Sequence, residues 1–263
     1  MKRTLFSATL LLFSIHLFAQ GPLFPPGPPG PTQRTLTELA PRQPISEVPI
    51  TISEPGSYYL TGNLTVTDPD GSLTAAININ SSDVTLDLNG FTLSGPNTVN
   101  FGLRIVGTPQ APRRNIRIHS GNLHGFSSGI FASHLINGQF ENLVIQQSSS
   151  SGVILSGTNR GSRFWRCTII DSGSWGLSLS ASGSASVLSG TRVEECVIAG
   201  NIQRGISIVS TNGALIEDTL IQNSVIAANS GSGLQMEAGT DSLIRGTQVR
   251  GSTLHGNSSR GVN

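Results

Sequence analysis

The chain has 263 residues, and its 16 lysine and arginine residues against 15 acidic residues give a formal net charge of +1. This balance gives no reason to expect nucleic acid or an anionic membrane as a partner. Only 12% of the residues are charged and 31 are glycine, but 37% are hydrophobic, which favours a packed core over disorder.

The segment 1–19 has the layout of a secretory signal peptide. Lys2 and Arg3 precede an apolar run at 5–18, and Ala19 offers a cleavage point. The alternative is a membrane anchor, but the run is shorter than the roughly 18–20 apolar residues that a span needs. We therefore expect no membrane insertion and a protein that is secreted or held at the cell surface, the periplasm included. Cleavage removes Lys2, the only lysine, which excludes Schiff-base chemistry and a phosphate-loop lysine.

A linker and a cap are predicted next. Residues 20–34 contain GPLFPPGPPGP, which is typical of a semi-rigid polyproline tether, and two glycine triplets are too few for a collagen helix. Residues 35–75 are predicted to hold an N-terminal cap and the first strands. Thr35 and Glu38 favour one helical turn at 35–39, which would cover the end of a solenoid.

From residue 76 the sequence repeats in steps of roughly 23–29 residues, within the range of repeat architectures. Each repeat opens on a small residue followed by an apolar one: Ala76-Ile77, Gly102-Leu103, Gly129-Ile130, Gly152-Val153, Gly176-Leu177, Gly205-Ile206, Gly233-Leu234 and Gly261-Val262. A second set of alternating strands lies between them, at 84–88, 115–118, 142–145, 167–170, 196–199, 224–227 and 252–255. Such repeats indicate a solenoid, a propeller or an array.

The length of the repeat decides among these architectures. The steps are too short for a propeller blade, and neither leucine-rich nor hexapeptide spacing is present. The sequence therefore predicts an all-β fold, a right-handed single-stranded parallel β-helix of about seven to eight rungs over 76–263, with equivalent residues stacked roughly 4.8 Å apart. The side chains expected to point inward are Ile77, Leu86, Leu103, Ile118, Ile130, Ile145, Val153, Ile169, Leu177, Ile198, Ile206, Ile226, Leu234 and Leu254.

Two further columns follow from this stacking. Asn201, Asn229 and Asn257 recur at equal intervals of one rung and are expected to form an asparagine ladder at one corner. Cys167 and Cys196 fall in one inward column. They are either two stacked thiols or a disulfide, and parallel side chains on adjacent rungs favour the thiols.

The segments ITISEPGSYYLTGNLTV (50–66) and SSDVTLDLNGFTLSG (81–95) resemble bacterial secreted right-handed parallel β-helix repeat proteins of the pectate-lyase-like superfamily. The likeness covers nearly the whole chain. It implies a parallel β-helix fold. If this chain resembles the catalytic relatives in function as well, the resemblance implies a lyase, hydrolase or epimerase that acts on acidic polysaccharides. Their motifs are missing here: the sequence has no Asp-Asp pair and no Asp-Pro-His-Glu, and His124-Gly125 has no acidic neighbour in its rung. No ligand cluster for calcium or a transition metal is evident, so neither metal nor cofactor is expected.

One candidate site remains. In the predicted register Asp87 and His119 are vertical neighbours on the outer face, with Arg117 beside them and Arg113 and Arg114 in the preceding loop. A carboxylate that orients a histidine, next to arginines that could bind uronate carboxylates, is a workable acid/base site. The alternative is a solvated surface salt bridge.

Two features suggest self-association. The outward columns that hold Asp87, Arg117 and His119 are expected to become apolar further along the chain. The apolar residues are Val197, Ala199, Val225 and Ala227, a stripe that could form an interface. The last residues, 258–263, match the start of a further rung, so we expect either a piece of a longer protein or an end closed by dimerisation or by a loop.

These patterns leave two functions open. The first is a secreted β-helix that binds polysaccharide, or has a cell-envelope or adhesive role, without catalysis. The second is a polysaccharide lyase or related enzyme acting on acidic glycans through Asp87, Arg117 and His119.

Overall fold

The computed structural model describes residues 41–263. The predicted signal peptide, the linker and the helical turn at 35–39 lie outside the described residues. Residues 41–263 contain strands, turns and bends but no helix.

The 27 strands are short, apart from two of 12 residues. The first fourteen are β1 (Arg42–Ile45), β2 (Ile50–Ile52), β3 (Gly56–Leu60), β4 (Leu64–Thr65), β5 (Ala75–Ile79), β6 (Val84–Asp87), β7 (Thr92–Ser94), β8 (Phe101–Val106), β9 (Arg113–His124), β10 (Ser128–Ser133), β11 (Leu135–Gln146), β12 (Val153–Ser156), β13 (Asn159–Arg160) and β14 (Arg163–Trp165). The others are β15 (Thr168–Ile170), β16 (Leu177–Ser182), β17 (Val187–Ser189), β18 (Arg192–Glu194), β19 (Val197–Ala199), β20 (Ile206–Thr211), β21 (Leu215–Glu217), β22 (Leu220–Gln222), β23 (Val225–Ala227), β24 (Leu234–Ala238), β25 (Leu243–Arg245), β26 (Gln248–Arg250) and β27 (Thr253–His255).

All strand pairs are parallel, and they form four ladders that run along the solenoid axis. Ladder 1 is β2, β5, β8, β10, β12, β16, β20 and β24. Ladder 2 joins the first residues of β9 and β11 to β13, β17, β21 and β25. Ladder 3 is β1, β3, β6, the middle of β9 and β11, β14, β18, β22 and β26. Ladder 4 is β4, β7, the ends of β9 and β11, β15, β19, β23 and β27.

The predicted β-helix is confirmed, and so is the register of ladder 1. Every apolar residue of the repeating small–apolar pair stacks on the next, from Ile77 to Val262. The strands of 41–75 extend the same ladders towards the N-terminus, beginning with Arg42 on Ser57. The described part of the segment that the sequence assigned to a cap and first strands therefore belongs to the solenoid.

The repeated glycine has a steric cause. A Cβ built on Gly176 would lie 2.5 Å from Ile198 Cγ2, 2.8 Å from Asn201 Nδ2 and 2.8 Å from the Gly205 carbonyl oxygen. Real Cβ atoms do not approach so closely, because close-packed interiors leave no room for an added methyl group. The position before the inward apolar residue therefore requires glycine in the rungs from Gly102 to Gly233, whereas the first repeat carries Ala76.

The predicted core is also confirmed. Thirteen of the fourteen residues expected to point inward have 0% exposure, and Leu254, in the last rung, is half-buried against the core. The axial stack includes Phe140 on Phe164, whose ring centroids are 4.8 Å apart. The asparagine ladder is present as well, since the Asn201 amide donates to Asn229 Oδ1 at 2.8 Å and the Asn229 amide donates to Asn257 Oδ1 at 2.8 Å.

The second set of strands was predicted wrongly as one column. Segments 84–87 and 116–119 lie on ladder 3, where their next neighbour is 138–141, whereas 143–146 and the later segments lie on ladder 4. The two ladders share one apolar alternation. Only a left-handed residue at the corner between them, such as Asn142 with φ 51°, separates them. Asparagine adopts this conformation more easily than other non-glycine residues, so the chain turns without a visible break in the pattern.

Candidate functional site

The outward side chains of ladder 3, which we call the ladder-3 face, carry most of the paired charges of the described residues. Alternate residues of each strand point outward, so they form two columns. One column is Tyr59, Asp87, His119, Glu141, Trp165 and Glu194. The other is Ser57, Thr85, Arg117, Gln139, Arg163 and Arg192.

Asp87 and His119 are direct neighbours on adjacent rungs. Their register is paired, and His119 Nδ1 lies 3.4 Å from Asp87 Oδ1. The same carboxylate has two other partners, because Arg42 Nη2 lies 2.6 Å from Oδ2 and the Asn89 backbone N–H donates to Oδ1 at 2.8 Å. Three groups therefore share Asp87, and the histidine is one of them.

His119 is held in its neutral form. Burial lowers its pKa below the usual 6.5, and although the Asp87 and Glu141 carboxylates oppose this shift, the Arg117 and Arg42 guanidinium groups add to it. Nδ1 also lies 3.0 Å from the Ser120 hydroxyl. Near pH 7 the imidazole is therefore uncharged and able to accept a proton.

Arg117 lies on this face but pairs with a different carboxylate. Its Nη2 and Nε both donate to Glu141 Oε2, at 2.6 and 3.0 Å, and Glu141 is only 7% exposed. One rung further on, Arg163 pairs with Glu194. Trp165 lies in register between Glu141 and Glu194, and its ring centroid is 5.2 Å from the Arg163 guanidinium carbon.

An open groove of about 370 Å³ runs beside Arg117. Five of the seven residues that line the groove have polar side chains. The lining residues are Thr85, Asn115, Ile116, Arg117, Asn137, Gln139 and Gly161. Asn115 and Asn137 form the corner between ladders 2 and 3 and are linked by an amide hydrogen bond of 3.2 Å. Hydroxyl, amide and guanidinium groups therefore face solvent next to the ion pairs.

The two remaining predicted site residues do not join this group. Arg113 and Arg114 begin strand β9, and they are not in a loop. The Arg113 guanidinium reaches away towards ladder 1, where Nε donates to the Val106 carbonyl at 3.1 Å. Arg114 is exposed, and its hydrogen bonds are made by the backbone: its N–H donates to Ser82 Oγ at 3.0 Å and its carbonyl accepts the Asp83 N–H at 2.9 Å.

The predicted apolar stripe does not continue the Asp87–His119 column, and this prediction was wrong. Val197 and Val225 stack outward on ladder 4, with exposures of 38% and 36%, while Ala227 is buried. The column above His119 instead continues into Glu141 and Trp165. The error follows from merging ladders 3 and 4 into one set of strands.

Cys167 and Cys196 are free, buried and stacked in one column. The Cys167 backbone N–H donates to Cys196 Sγ at 3.4 Å, and Cys167 Sγ donates to the Phe140 carbonyl at 3.3 Å. Residues 41–263 hold no group of three or more histidine, cysteine or acidic side chains placed to bind a metal ion. No helix in this part of the chain could span a membrane.

The site contains residues that the sequence patterns did not identify. Glu141 lies in the middle of a 12-residue strand of which only the end was recognised as a repeat. Trp165 precedes the recognised segment 167–170, and Arg42 lies before the first predicted rung. A signal did exist, since an acidic or aromatic residue recurs about one rung apart at Glu141, Trp165 and Glu194.

Four parallel ladders around one apolar core define the class, a right-handed parallel β-helix with a charged outer face. Residues 102–263, more than half of the chain, match the family model described as "Right handed beta helix region", and the chain belongs to this family. A search of curated proteins finds no match.

Several solved structures are similar to the chain. ORF18 of Geobacillus virus E2 has 11% identity and a TM-score of 0.44, over 83% of this chain and 56% of that one. The A-module of the Azotobacter vinelandii mannuronan C-5 epimerase AlgE4 has 13% identity and a TM-score of 0.41, over 78% and 70%. The enzymatically active domain of bacteriophage CBA120 tailspike protein 2 has 13% identity and a TM-score of 0.38, over 76% and 37%. The chain thus spans about half the length of the first of these proteins, and likeness of this extent does not bear on what the chain binds.

Proposed function

We propose that this chain is a secreted β-helix protein that binds polysaccharide through the ladder-3 face without catalysis. The observation that carries the proposal is a row of three arginine–carboxylate pairs along one face, Arg42–Asp87, Arg117–Glu141 and Arg163–Glu194. The first pair reaches across the rung of β3, and the other two join adjacent rungs. Export from the cytoplasm is part of the proposal and depends on the signal peptide predicted at 1–19.

Ion pairs of this kind suit sugar hydroxyls. Each sugar hydroxyl donates one hydrogen bond and accepts others, and each pair offers a carboxylate acceptor beside a guanidinium donor. The pairs hold these side chains in place before a ligand arrives, so little side-chain entropy is lost on binding. Rungs lie about 4.8 Å apart, so a linear chain along the axis would meet one such pair every one or two rungs.

Aromatic rings complete the surface. Tyr59 and Trp165 lie in the same column as the carboxylates, and both are half-buried. The Arg42 guanidinium lies 4.8 Å from the Tyr59 ring centroid and that of Arg166 lies 4.3 Å from the Trp165 ring centroid. Glycan sites commonly combine a ring that covers the apolar side of a sugar with a few fixed polar groups. The groove beside Arg117 adds amide and hydroxyl groups at the edge of this track.

The same contacts argue against catalysis. Asp87 is paired with Arg42, and Arg117 is paired with the nearly buried Glu141, so two of the three groups needed for an acid/base site already have other partners. A guanidinium that must neutralise a uronate carboxylate would first have to leave Glu141, which would then lose its partner while buried.

Replacing Arg117 by Gln is expected to weaken polysaccharide binding about tenfold, because a charged donor to sugar hydroxyls contributes roughly 1.5–3 kcal/mol. Calorimetric titration with a panel of soluble neutral and acidic polysaccharides measures the affinity. The matched control is Arg245→Gln. Arg245 makes the same pair of bonds to Glu217, at 2.6 and 3.0 Å, but on ladder 2.

The control keeps full affinity if the ladder-3 face is the binding surface. Equal loss in both variants would point to a general effect of charge, and no loss in Arg117→Gln would remove the proposal. Thermal melts of both variants verify that the solenoid is intact.

A second function, a lyase on acidic glycans, is favoured by one observation: a neutral His119 within 3.4 Å of Asp87. In such a reaction the imidazole takes the proton α to a uronate carboxylate, the glycosidic oxygen leaves, and a 4,5 double bond forms. We expect no such product from the native chain. The measurement is ultraviolet absorbance during incubation with pectin, alginate and glycosaminoglycans. A rise in absorbance that disappears in His119→Ala but persists in His124→Ala would contradict the non-catalytic proposal and support the lyase.

A further inference from the structure

A larger groove, of about 520 Å³, lies on a different side of the solenoid. Its floor is an outward column of ladder 1 in which Thr51, Asn78 and Arg104 follow one another on successive rungs. Residues 72–75 form its wall. We call the outward side chains of ladder 1 the ladder-1 face.

Arg104 has a neutral partner instead of a carboxylate. Its Nη1 donates to Asn78 Oδ1 at 3.1 Å, and among residues 41–263 no acidic side chain forms an ion pair with its guanidinium. The side chain is half-buried on the groove floor. A partly desolvated guanidinium without a counter-charge attracts an anion more strongly than one already paired, as Arg117 and Arg163 are.

A second arginine is held in the same way. Arg113 Nη2 donates to Asn80 Oδ1, its Nε donates to the Val106 carbonyl at 3.1 Å, and no described acidic group pairs with it. Asn78 and Asn80 are alternate residues, both outward because Ile77 and Ile79 are fully buried, so they lie about 6.6 Å apart along the chain. The side-chain oxygens of Asn78 and Asn80 therefore each hold one arginine guanidinium.

The acidic groups of the neighbouring loop bond to groups of that loop and not to Arg104. Asp68 Oδ1 accepts the Leu73 backbone N–H at 3.0 Å, and Asp70 Oδ1 accepts the backbone N–H and the hydroxyl of Ser72 at 3.2 and 2.8 Å. Both carboxylates serve to shape the wall of the groove. Their negative charges remain, but neither carboxylate forms an ion pair with the Arg104 guanidinium.

We propose that the groove on the ladder-1 face, together with Arg113 at the start of β9, is a second binding site, which takes the anionic groups of an acidic polysaccharide. The carboxylate or sulfate of one sugar unit binds Arg104, and that of a neighbouring unit binds Arg113. The hydroxyls of Thr51, Ser72 and Thr74 line the groove for the uncharged part of the ligand. This site is independent of the ladder-3 face, where Arg42, Arg117 and Arg163 are neutralised by carboxylates of the chain itself.

The test uses Arg104→Gln, Arg113→Gln and the double variant in the full chain. Titrations with polygalacturonate, dextran sulfate and neutral dextran separate carboxylate, sulfate and uncharged sugar. Each single variant is expected to bind the better of the two polyanions about tenfold more weakly, the double variant about a hundredfold, and the loss should shrink as salt rises. The control is Arg204→Gln, because Arg204 also lies near ladder 1 but already pairs with Glu237 at 3.1 Å.

Wild-type affinity of the double variant for both polyanions overturns the proposal, and so does an equal loss for neutral dextran. Tighter binding of a DNA duplex than of either acidic polysaccharide also overturns it, because the ligand would then be a nucleic acid. Loss of polyanion affinity in the double variant, with full affinity in Arg245→Gln, supports this groove whatever Arg117→Gln shows, so failure here and failure of the ladder-3 proposal are distinguishable.

Discussion

Replacing Ile198 by Asp is expected to abolish folding. Ile198 is fully buried and stacks between Ile169 and Ile226 on the adjacent rungs of ladder 4. An aspartate there either keeps an unpaired charge in an apolar column or takes up a proton at a cost, and the lost packing of isoleucine adds about 2–5 kcal/mol. The sum approaches the whole free energy of unfolding of a typical domain, about 5–15 kcal/mol.

The measurements are the yield of soluble protein, the far-ultraviolet circular dichroism spectrum and the cooperativity of a thermal melt. The control is the neighbouring Val197→Asp. Val197 is 38% exposed and points outward, so its replacement should change stability by only about 0.5 kcal/mol. A soluble Ile198→Asp protein with a cooperative melt would contradict the inward register of ladder 4.

Replacing Asn229 by Leu is expected to cost about 2–6 kcal/mol, because two buried donors of Asn201 lose their acceptor at about 1–3 kcal/mol each. Asn229 Oδ1 accepts the Asn201 side-chain amide at 2.8 Å and the Asn201 backbone N–H at 3.1 Å. Leucine is close in size but offers no acceptor. The melting temperature should fall by on the order of 10 °C.

Differential scanning calorimetry measures the change. Asn100→Ala serves as the control, since Asn100 is exposed and its side chain makes no hydrogen bond within residues 41–263. A similar fall in both variants would show that the amide stack is not the source of the stability.

The fold could be predicted from the sequence because the rungs of a solenoid repeat the same pattern of residues. The same glycine–apolar pair begins ladder 1 in nearly every rung. A Cβ on Gly129, Gly152, Gly176 or Gly205 would collide with an isoleucine side chain, so glycine is required at these positions. The asparagine ladder keeps a constant spacing for the same reason: each amide must meet the one above it.

The site could be predicted only in part. Asp87 and His119 could be placed together because their strands have matching lengths and a clear alternation. Glu141 and Trp165 were missed because one left-handed residue after each, Asn142 and Arg166, moves the chain from ladder 3 to ladder 4 without changing the alternation. Partner choice is also invisible in the pattern: Arg117 could have paired with Asp87, and only the side-chain geometry assigns it to Glu141.

The regular spacing of the last rungs has a consequence for how such a protein can change length. Leu177, Ile206, Leu234 and Val262 stack in register at nearly equal intervals, and each interval contains a full set of four strands and corner residues. A duplicated segment of about 28 residues would have the same neighbours above and below it. In contrast, a single residue inserted in a strand would turn every following side chain of that strand to the opposite face. Gene segments of this size can therefore be gained or lost in whole units, and each unit would lengthen the outer faces by about 4.8 Å.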